Sequence, residues 1–234
     1  MKERPPNKGA PKGVTYTVSP NRKIHLTPGI KKIRNAQYFG CDMAGHLIIP
    51  SSVIEIGNFA FCCCSKLKSV TIPKSVQTIG ISAFAGCRSM KKISIADEVS
   101  YIWSNAFEDC TSLREIRLPA SLIDIGTGMF HNCSSLKSVT ITNPKTLIID
   151  NQVNARAALR NKMFENILLG RETSQNHKDS IMEIKFCYQE MQDMTIFRDC
   201  RSLRKIYVPR GSIEFFKRSI PRLMAYMLEE LDDI

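Results

Sequence analysis

The sequence lacks the short motifs that mark common enzyme classes. It contains no G-x-S-x-G, no G-x-x-x-x-G-K-S/T, no H-E-x-x-H and no G-x-G-x-x-G. Its histidines, His25, His46, His131 and His177, are scattered along the chain, and the paired Cys and His spacings of zinc sites are missing. We therefore predict a protein that is not an enzyme and that needs neither a cofactor nor a metal ion.

Long apolar runs and acidic residues are also scarce. No run has the length of a signal-peptide core or a membrane span, so we expect neither. The 33 Lys and Arg residues outnumber the 22 Asp and Glu residues. Residues 1–34 contain nine of these basic residues and a single acid. Because residues 1–20 begin with a Pro-, Gly- and Lys-rich stretch, we predict a flexible basic arm there.

A period of 23 residues organises the chain from about residue 24 to residue 141. Aromatic residues, cysteines and isoleucines recur at this spacing, and two columns of Ile, Leu and Val lie two residues apart. A fixed period of this length is typical of solenoids. The aromatic column is Tyr38, Phe61, Phe84, Phe107 and Phe130, and the cysteine column is Cys41, Cys64, Cys87, Cys110 and Cys133.

Each repeat is predicted to form one coil. Val70 and Ile72 alternate as in a short strand with one buried face, which Pro73 ends. Gly80 is interpreted as a turn residue with positive φ, and residues 83–90 as a helical or 3₁₀ turn. One coil cannot bury its own apolar face. The coils are therefore expected to stack into an α/β, right-handed leucine-rich-repeat solenoid with a parallel β-sheet on one side.

The period breaks after residue 141, and the sequence divides into four segments. These are the arm at 1–20, a five-coil solenoid at 21–141, a helical insertion with a polar loop at 142–180, and terminal coils with a helical C-terminal cap at 181–234. In the insertion a helix is predicted at 154–169. A strand at 181–186 and a coil at 196–209 would bring the total to seven or eight coils.

The repeat L-x-x-I-x-I-P-x-x-V-x-x-I-G-x-x-A-F-x-x-C-x-x-L resembles that of the BspA-like family of bacterial leucine-rich repeat proteins. The ending KIYVPRGSIEFFKRS is similar to the closing coil of such proteins. The resemblance covers residues 24–141 and 181–218. It implies a binding scaffold that is secreted or displayed at the cell surface, where it binds proteins or mediates adhesion.

Most cysteines are interpreted as core residues. Cys200 continues the cysteine column, beside Phe and Leu positions, and a buried thiol packs as a small apolar group. Cys62 and Cys63 lie outside the column. They are the candidates for exposed, reactive thiols.

Basic residues recur two positions before each first strand position. At a strand spacing of about 4.8 Å they would form a positive stripe that attracts acidic proteins or polyanions. The alternative is that they only keep an edge of the sheet soluble. This basic edge consists of Arg22, Lys23, Lys68, Lys91, Lys92, Arg114, Lys137, Arg204 and Lys205.

The outward side of the sheet is the second candidate site. Its residues are small and mixed, and Trp103, which replaces a repeat glycine, is a candidate anchor for a partner. The predicted sheet-face residues are His25, Thr71, Ser94, Arg117, Thr140 and Tyr207.

The preferred reading is a non-enzymatic scaffold that binds a macromolecule through its sheet face and basic edge, with a protein favoured as the partner. A nucleic acid or acidic glycan is the competing partner class, although arrays of stacking aromatics and DNA-binding motifs are absent. A structural module of a surface assembly is the third reading. No small-molecule substrate is predicted.

Overall fold

Stacked coils build the protein, as the 23-residue period predicts. The computed structural model describes residues 16–19, 21–144, 146–148, 196–219 and 226–231. Within these ranges no helix has the length and apolar character needed to cross a membrane. In these ranges six turns each contribute one strand to each of two strand layers. Three further strands, one before these turns and two after them, belong to the first layer.

The first layer, called the face sheet, consists of strands that run parallel and in register between coils, apart from the first strand, which is antiparallel. It is divided into the hydrogen-bonded groups β1-β2-β4-β6-β8 and β10-β12-β14-β15. Buried and outward residues alternate along these strands, as predicted. The strands are β1 Tyr16–Val18, β2 Lys23–Leu26, β4 His46–Ile48, β6 Ser69–Ile72, β8 Lys92–Ile95, β10 Glu115–Arg117, β12 Ser138–Thr140, β14 Lys205–Val208 and β15 Leu228–Glu230.

A second parallel sheet, which the single-sheet prediction missed, runs along another side of the solenoid. Its six strands have only two residues each, too short to show alternation in the sequence. In the first five of these strands the repeat isoleucine is buried in the core, as at Ile33, Ile56, Ile79, Ile102 and Ile125. The strands are β3 Lys32–Ile33, β5 Glu55–Ile56, β7 Thr78–Ile79, β9 Tyr101–Ile102, β11 Asp124–Ile125 and β13 Leu147–Ile148.

The repeat glycine is required for a different reason from the one predicted. Gly57, Gly80 and Gly126 are absent from the residues with positive φ. A Cβ atom on Gly80 would lie 2.6 Å from the backbone nitrogen of Asn58 in the preceding coil. The glycine therefore permits close approach of two coils rather than a left-handed turn.

The segment after each of the first five second-sheet strands is a chain of tight turns whose hydrogen bonds reach three residues back, as in the 3₁₀ alternative of the prediction, and it forms no continuous helix. In the second coil the amides of Ala60, Cys62 and Cys64 donate to carbonyls three residues back, whereas those of Phe59, Phe61 and Cys63 donate to the next coil. Alternate amides thus bind the coils together, which a helix would not allow. We call this third side of the solenoid the turn face.

The core is a stack of identical positions. The aromatic rings from Tyr38 to Phe197 follow one another with centroid separations of 5.1 to 6.0 Å and nearly parallel planes. Such ring pairs contribute about 1 kcal/mol each beyond their burial. Phe130 stacks directly on Phe197, so the coil at 196–208 continues the core after the insertion.

The cysteine column has a role beyond apolar packing. Each thiol from Cys64 onward donates to the carbonyl of the aromatic residue one coil earlier, for example Cys87 Sγ to Phe61 O at 3.3 Å. Burial raises the pKa of these thiols, that of Cys200 to about 12. They are therefore inert protonated donors that link successive coils.

Strands close the two ends of the face sheet. β1 pairs antiparallel with β2, so ordered structure begins inside the segment predicted as an arm. At the other end α1 (Ile213–Ser219) is followed by β15, where the prediction had only helix. Leu228 aligns with Ile206 of β14, because a strand satisfies the open edge of β14 and a helix would not.

Six turns lie within the described residues, where the sequence predicted seven or eight coils for the chain. β12 pairs directly with β14, so no other strand lies between these two in the face sheet. The strand predicted at 181–186 and the helix predicted at 154–169 lie outside the described residues.

Candidate functional site

The basic edge lies where the predicted column places it, just before the face-sheet strands. All nine of its residues are exposed. Backbone hydrogen bonds join Lys91 to Lys68 at 2.9 Å and Lys137 to Arg114 at 2.7 Å, which holds these residues one above the other. The stripe is thus built by the coil stacking itself.

Four residues in the middle of this edge form its open part, which we call the central row. The row consists of Lys68, Lys91, Arg114 and Lys137. Within the described ranges none of these four side chains has an acid in ion-pairing contact. Like charges stacked on neighbouring coils repel one another. The row gains nothing for folding from its charge, which remains available to an acidic partner.

The end of the basic edge near the C-terminus is closed by internal contacts. Lys205 Nζ lies 3.0 Å from Glu229 Oε2, and this carboxylate raises the pKa of the lysine. Arg204 donates to the carbonyls of Arg201 and Leu203. The nine predicted residues are therefore not equivalent.

The sheet face carries two outward columns, of which the prediction identified one. The predicted column is aligned between coils, for example Thr71 with Ser94 and Thr140 with Tyr207, and His25 is exposed at its start. The second column includes His46, Ser69, Glu115 and Ser138, which lie in line with Lys23, Lys92 and Lys205. Alternation around the first buried position would have revealed it.

Arg117 is the predicted face residue with the strongest internal contact. Its guanidinium forms two hydrogen bonds to Asp97, at 2.6 and 3.3 Å, which hold the pKa of that carboxyl below its usual range. The Ala120 amide also donates to Asp97. These contacts join two coils at the point where the face sheet divides. Arg117 therefore contributes to the fold itself, whether or not a partner is bound.

Trp103 lies on the second sheet, not on the face sheet. Its ring is stacked on Tyr101 with centroids 6.2 Å apart, and the two residues are 44% and 41% exposed. Because Trp103 replaces the repeat glycine, Gly80 and Gly126 flank it on the adjacent coils. The structure therefore does not bring Trp103 together with the basic edge.

The turn face contains a polar network that the sequence analysis missed. Glu108 accepts a hydrogen bond from Asn105 at 3.1 Å, and its other oxygen lies 3.1 Å from His131 Nδ1. His131 Nε2 is 3.8 Å from Asp199, in the coil after the insertion. Residues 23 apart in sequence would have indicated the pair of Glu108 and His131. The network links three coils.

Metal and nucleophile chemistry find no support in the described ranges. No group of three or more His, Cys, Asp or Glu side chains there has the geometry of a metal site. His46 Nδ1 lies 2.6 Å from Ser69 Oγ on the exposed face, and Lys23 and Lys92 continue that column.

Comparison with known families identifies the repeat. The model of the family described as "BspA type Leucine rich repeat region" matches residues 31–160 in six copies, which is more than half of the chain. No curated protein matches the sequence.

Solved structures of bacterial proteins share the fold. A leucine-rich repeat protein of T. pallidum matches with 24% identity and a TM-score of 0.52, over 90% of this chain and 73% of its own. A leucine-rich repeat protein from Bacteroides ovatus matches with 21% identity and a TM-score of 0.54, over 87% of this chain and 43% of its own. The chain thus spans less than half of the second protein, and these likenesses concern the fold alone.

Proposed function

Because the chain belongs to the BspA-type leucine-rich repeat family, we propose that it is a non-enzymatic scaffold that binds an acidic protein along its basic edge and face sheet. The observation that carries this proposal is the central row. Four exposed cations lie on neighbouring coils without acidic partners in the described part of the chain. Since a row of like charges costs folding energy, a binding partner is its best explanation.

The neighbouring surface suits a protein partner better than a nucleic acid. Beside the central row the face presents the hydroxyl-bearing residues Ser69, Thr71, Ser94 and Ser138, which offer hydrogen bonds to a partner. The exposed stacked aromatics, Tyr101 and Trp103, are on the other sheet. A binder of single-stranded nucleic acid would have aromatic rings along its basic groove.

Two other functions are suggested by the charge of the central row and by the family resemblance. The regular spacing of the central row also suits a polyanionic glycan or nucleic acid. Adhesion at a bacterial surface, or service as a module of a surface assembly, is the setting that the family resemblance suggests. Trp103 would serve a separate contact on the second sheet.

Retention on three resins tests the proposal. The full chain and a form lacking residues 1–15, which keeps β1, are applied to polyglutamate, heparin and DNA at low and moderate salt. The proposal predicts salt-sensitive retention on polyglutamate that survives the deletion. Stronger retention on heparin or DNA would favour the polyanion reading. No retention, or retention that is lost with residues 1–15, would indicate that the basic edge only keeps this edge of the sheet soluble.

A further inference from the structure

Two classes of thiol exist in the described part of the chain. The column thiols are buried in the main core, and those from Cys64 onward are hydrogen-bonded to carbonyls. Cys62 and Cys63 instead lie on the turn face, and their Sγ atoms are 3.7 Å apart. The pair belongs to no part of the proposed binding surface, so its chemistry needs a separate account.

The surroundings of the pair leave one thiol shielded and the other accessible. Cys62 is 3% exposed and packs with Phe39, Phe59 and Ile81 in an apolar cluster separate from the main core. Cys63 is partly exposed. Gly40 and Gly86 occupy its position on the coils before and after, and a Cβ on Gly86 would lie only 3.3 Å from Cys63 Sγ. Cys63 is thus the partly exposed member of the pair, between two coils that carry no side chain at its position.

The backbone between the two cysteines is held in place. The Cys62 carbonyl accepts from the Gly40 amide at 2.8 Å, and the Cys63 amide donates to the Ala85 carbonyl at 2.7 Å. Adjacent Cα atoms are about 3.8 Å apart, below the usual span of roughly 4.4 to 6.8 Å for a disulfide. A bond between these sulfurs would be strained, and strained disulfides are readily reduced.

We infer that Cys62 and Cys63 form a vicinal dithiol that low-molecular-weight disulfides oxidise reversibly to a disulfide. The Cys63 thiolate attacks one sulfur of the reagent RSSR and releases RS⁻. The Cys62 thiolate then attacks the Cys63 sulfur of the mixed disulfide and releases the second RS⁻. The two thiol protons end on the two released thiolates, so one RSSR becomes two RSH as the protein loses two hydrogen atoms.

Titration of the folded protein with the aromatic disulfide DTNB tests this inference. All titrated proteins carry Cys187→Ser, because Cys187 lies outside the described residues and its thiol would add to the count. The pair should release two thionitrobenzoate anions rapidly and retain no adduct. The protein mass should fall by two hydrogen atoms, and dithiothreitol should restore it.

The chain itself supplies matched controls. Cys62→Ala copies Ala85 of the next coil, and Cys63→Gly copies Gly40 and Gly86, which share the positive φ of Cys63. Both variants should keep the wild-type circular dichroism spectrum. Cys62→Ala should release one anion and keep the adduct, and Cys63→Gly should lose the rapid reaction. Two results would overturn the inference. One is a retained adduct in the parent protein, and the other is an equal rate of thionitrobenzoate release from the parent and Cys63→Gly.

Discussion

Charged side chains occur in two regions of this solenoid with opposite arrangements. On the turn face, Glu108, His131 and Asp199 contact one another across three coils, and Arg88 lies 3.6 Å from Asp109. In the central row, four cations follow one another with no acid in ion-pairing contact in the described ranges. The first arrangement neutralises charge within the fold, and the second leaves it exposed to a partner.

The contrast shows how a repeat protein separates folding from binding. Inward positions repeat the same residue types in every coil, whereas outward positions differ between coils. The polar groups of the turn-face network bind one another and so contribute to stability. Removal of this network should leave binding intact. The like charges of the central row repel one another. Removal of these charges should therefore weaken binding and leave stability intact.

The largest expected effect is on the turn face. Glu108→Leu removes the buried carboxylate that binds both Asn105 and His131, and we expect the free energy of unfolding to fall by about 2–3 kcal/mol. Denaturant unfolding measures this change. Glu108→Gln, which keeps an acceptor oxygen, should lose less. Equal stability of Glu108→Leu and the parent would show that the network is not structural.

A stabilising substitution is expected at the border of the same network. Ser82 has a φ of 50°, and its buried hydroxyl has no hydrogen-bond partner in the described structure. Gly128 occupies this column two coils later. Ser82→Gly should therefore raise the free energy of unfolding by about 1 kcal/mol. A lower thermal midpoint than that of the parent would contradict this account of the strain.

A smaller, pH-dependent effect is expected at Arg117, which is exposed but paired. Because Arg117 lowers the pKa of Asp97, their contact stabilises the fold above the unfolded pKa of Asp97 and is lost as the pH falls through the folded pKa. Solvent screening limits the contribution to about 0.5 kcal/mol at neutral pH. Unfolding of Arg117→Gln should show this loss at neutral pH and converge with the parent in acid. A constant difference at all pH values would contradict the pairing.

The inward half of the structure was predictable from sequence, and much of the outward half was not. The 23-residue period determined the register of the face-sheet strands, which aligns Thr71 with Ser94 on neighbouring coils. The second sheet was missed because strands such as Thr78–Ile79 are too short to alternate. The Glu108 network was missed because a paired carboxylate and an exposed one look alike in sequence. β15 was predicted as helix because its pairing with β14 is a contact between distant residues.

The most direct test compares two fourfold variants of equal net charge. One replaces the central row with Gln at Lys68, Lys91, Arg114 and Lys137, and the control replaces Lys31, Lys32, Arg34 and Lys74, which are exposed outside the basic edge. Polyglutamate affinity at low salt and the free energy of unfolding are measured for both. We predict an affinity loss of about tenfold or more for the central-row variant, a smaller loss for the control, and an unfolding free energy within about 0.5 kcal/mol of the parent for the central-row variant. Equal affinity losses in the two variants, or a marked loss of stability in the central-row variant, would contradict the claim that this row is a binding surface.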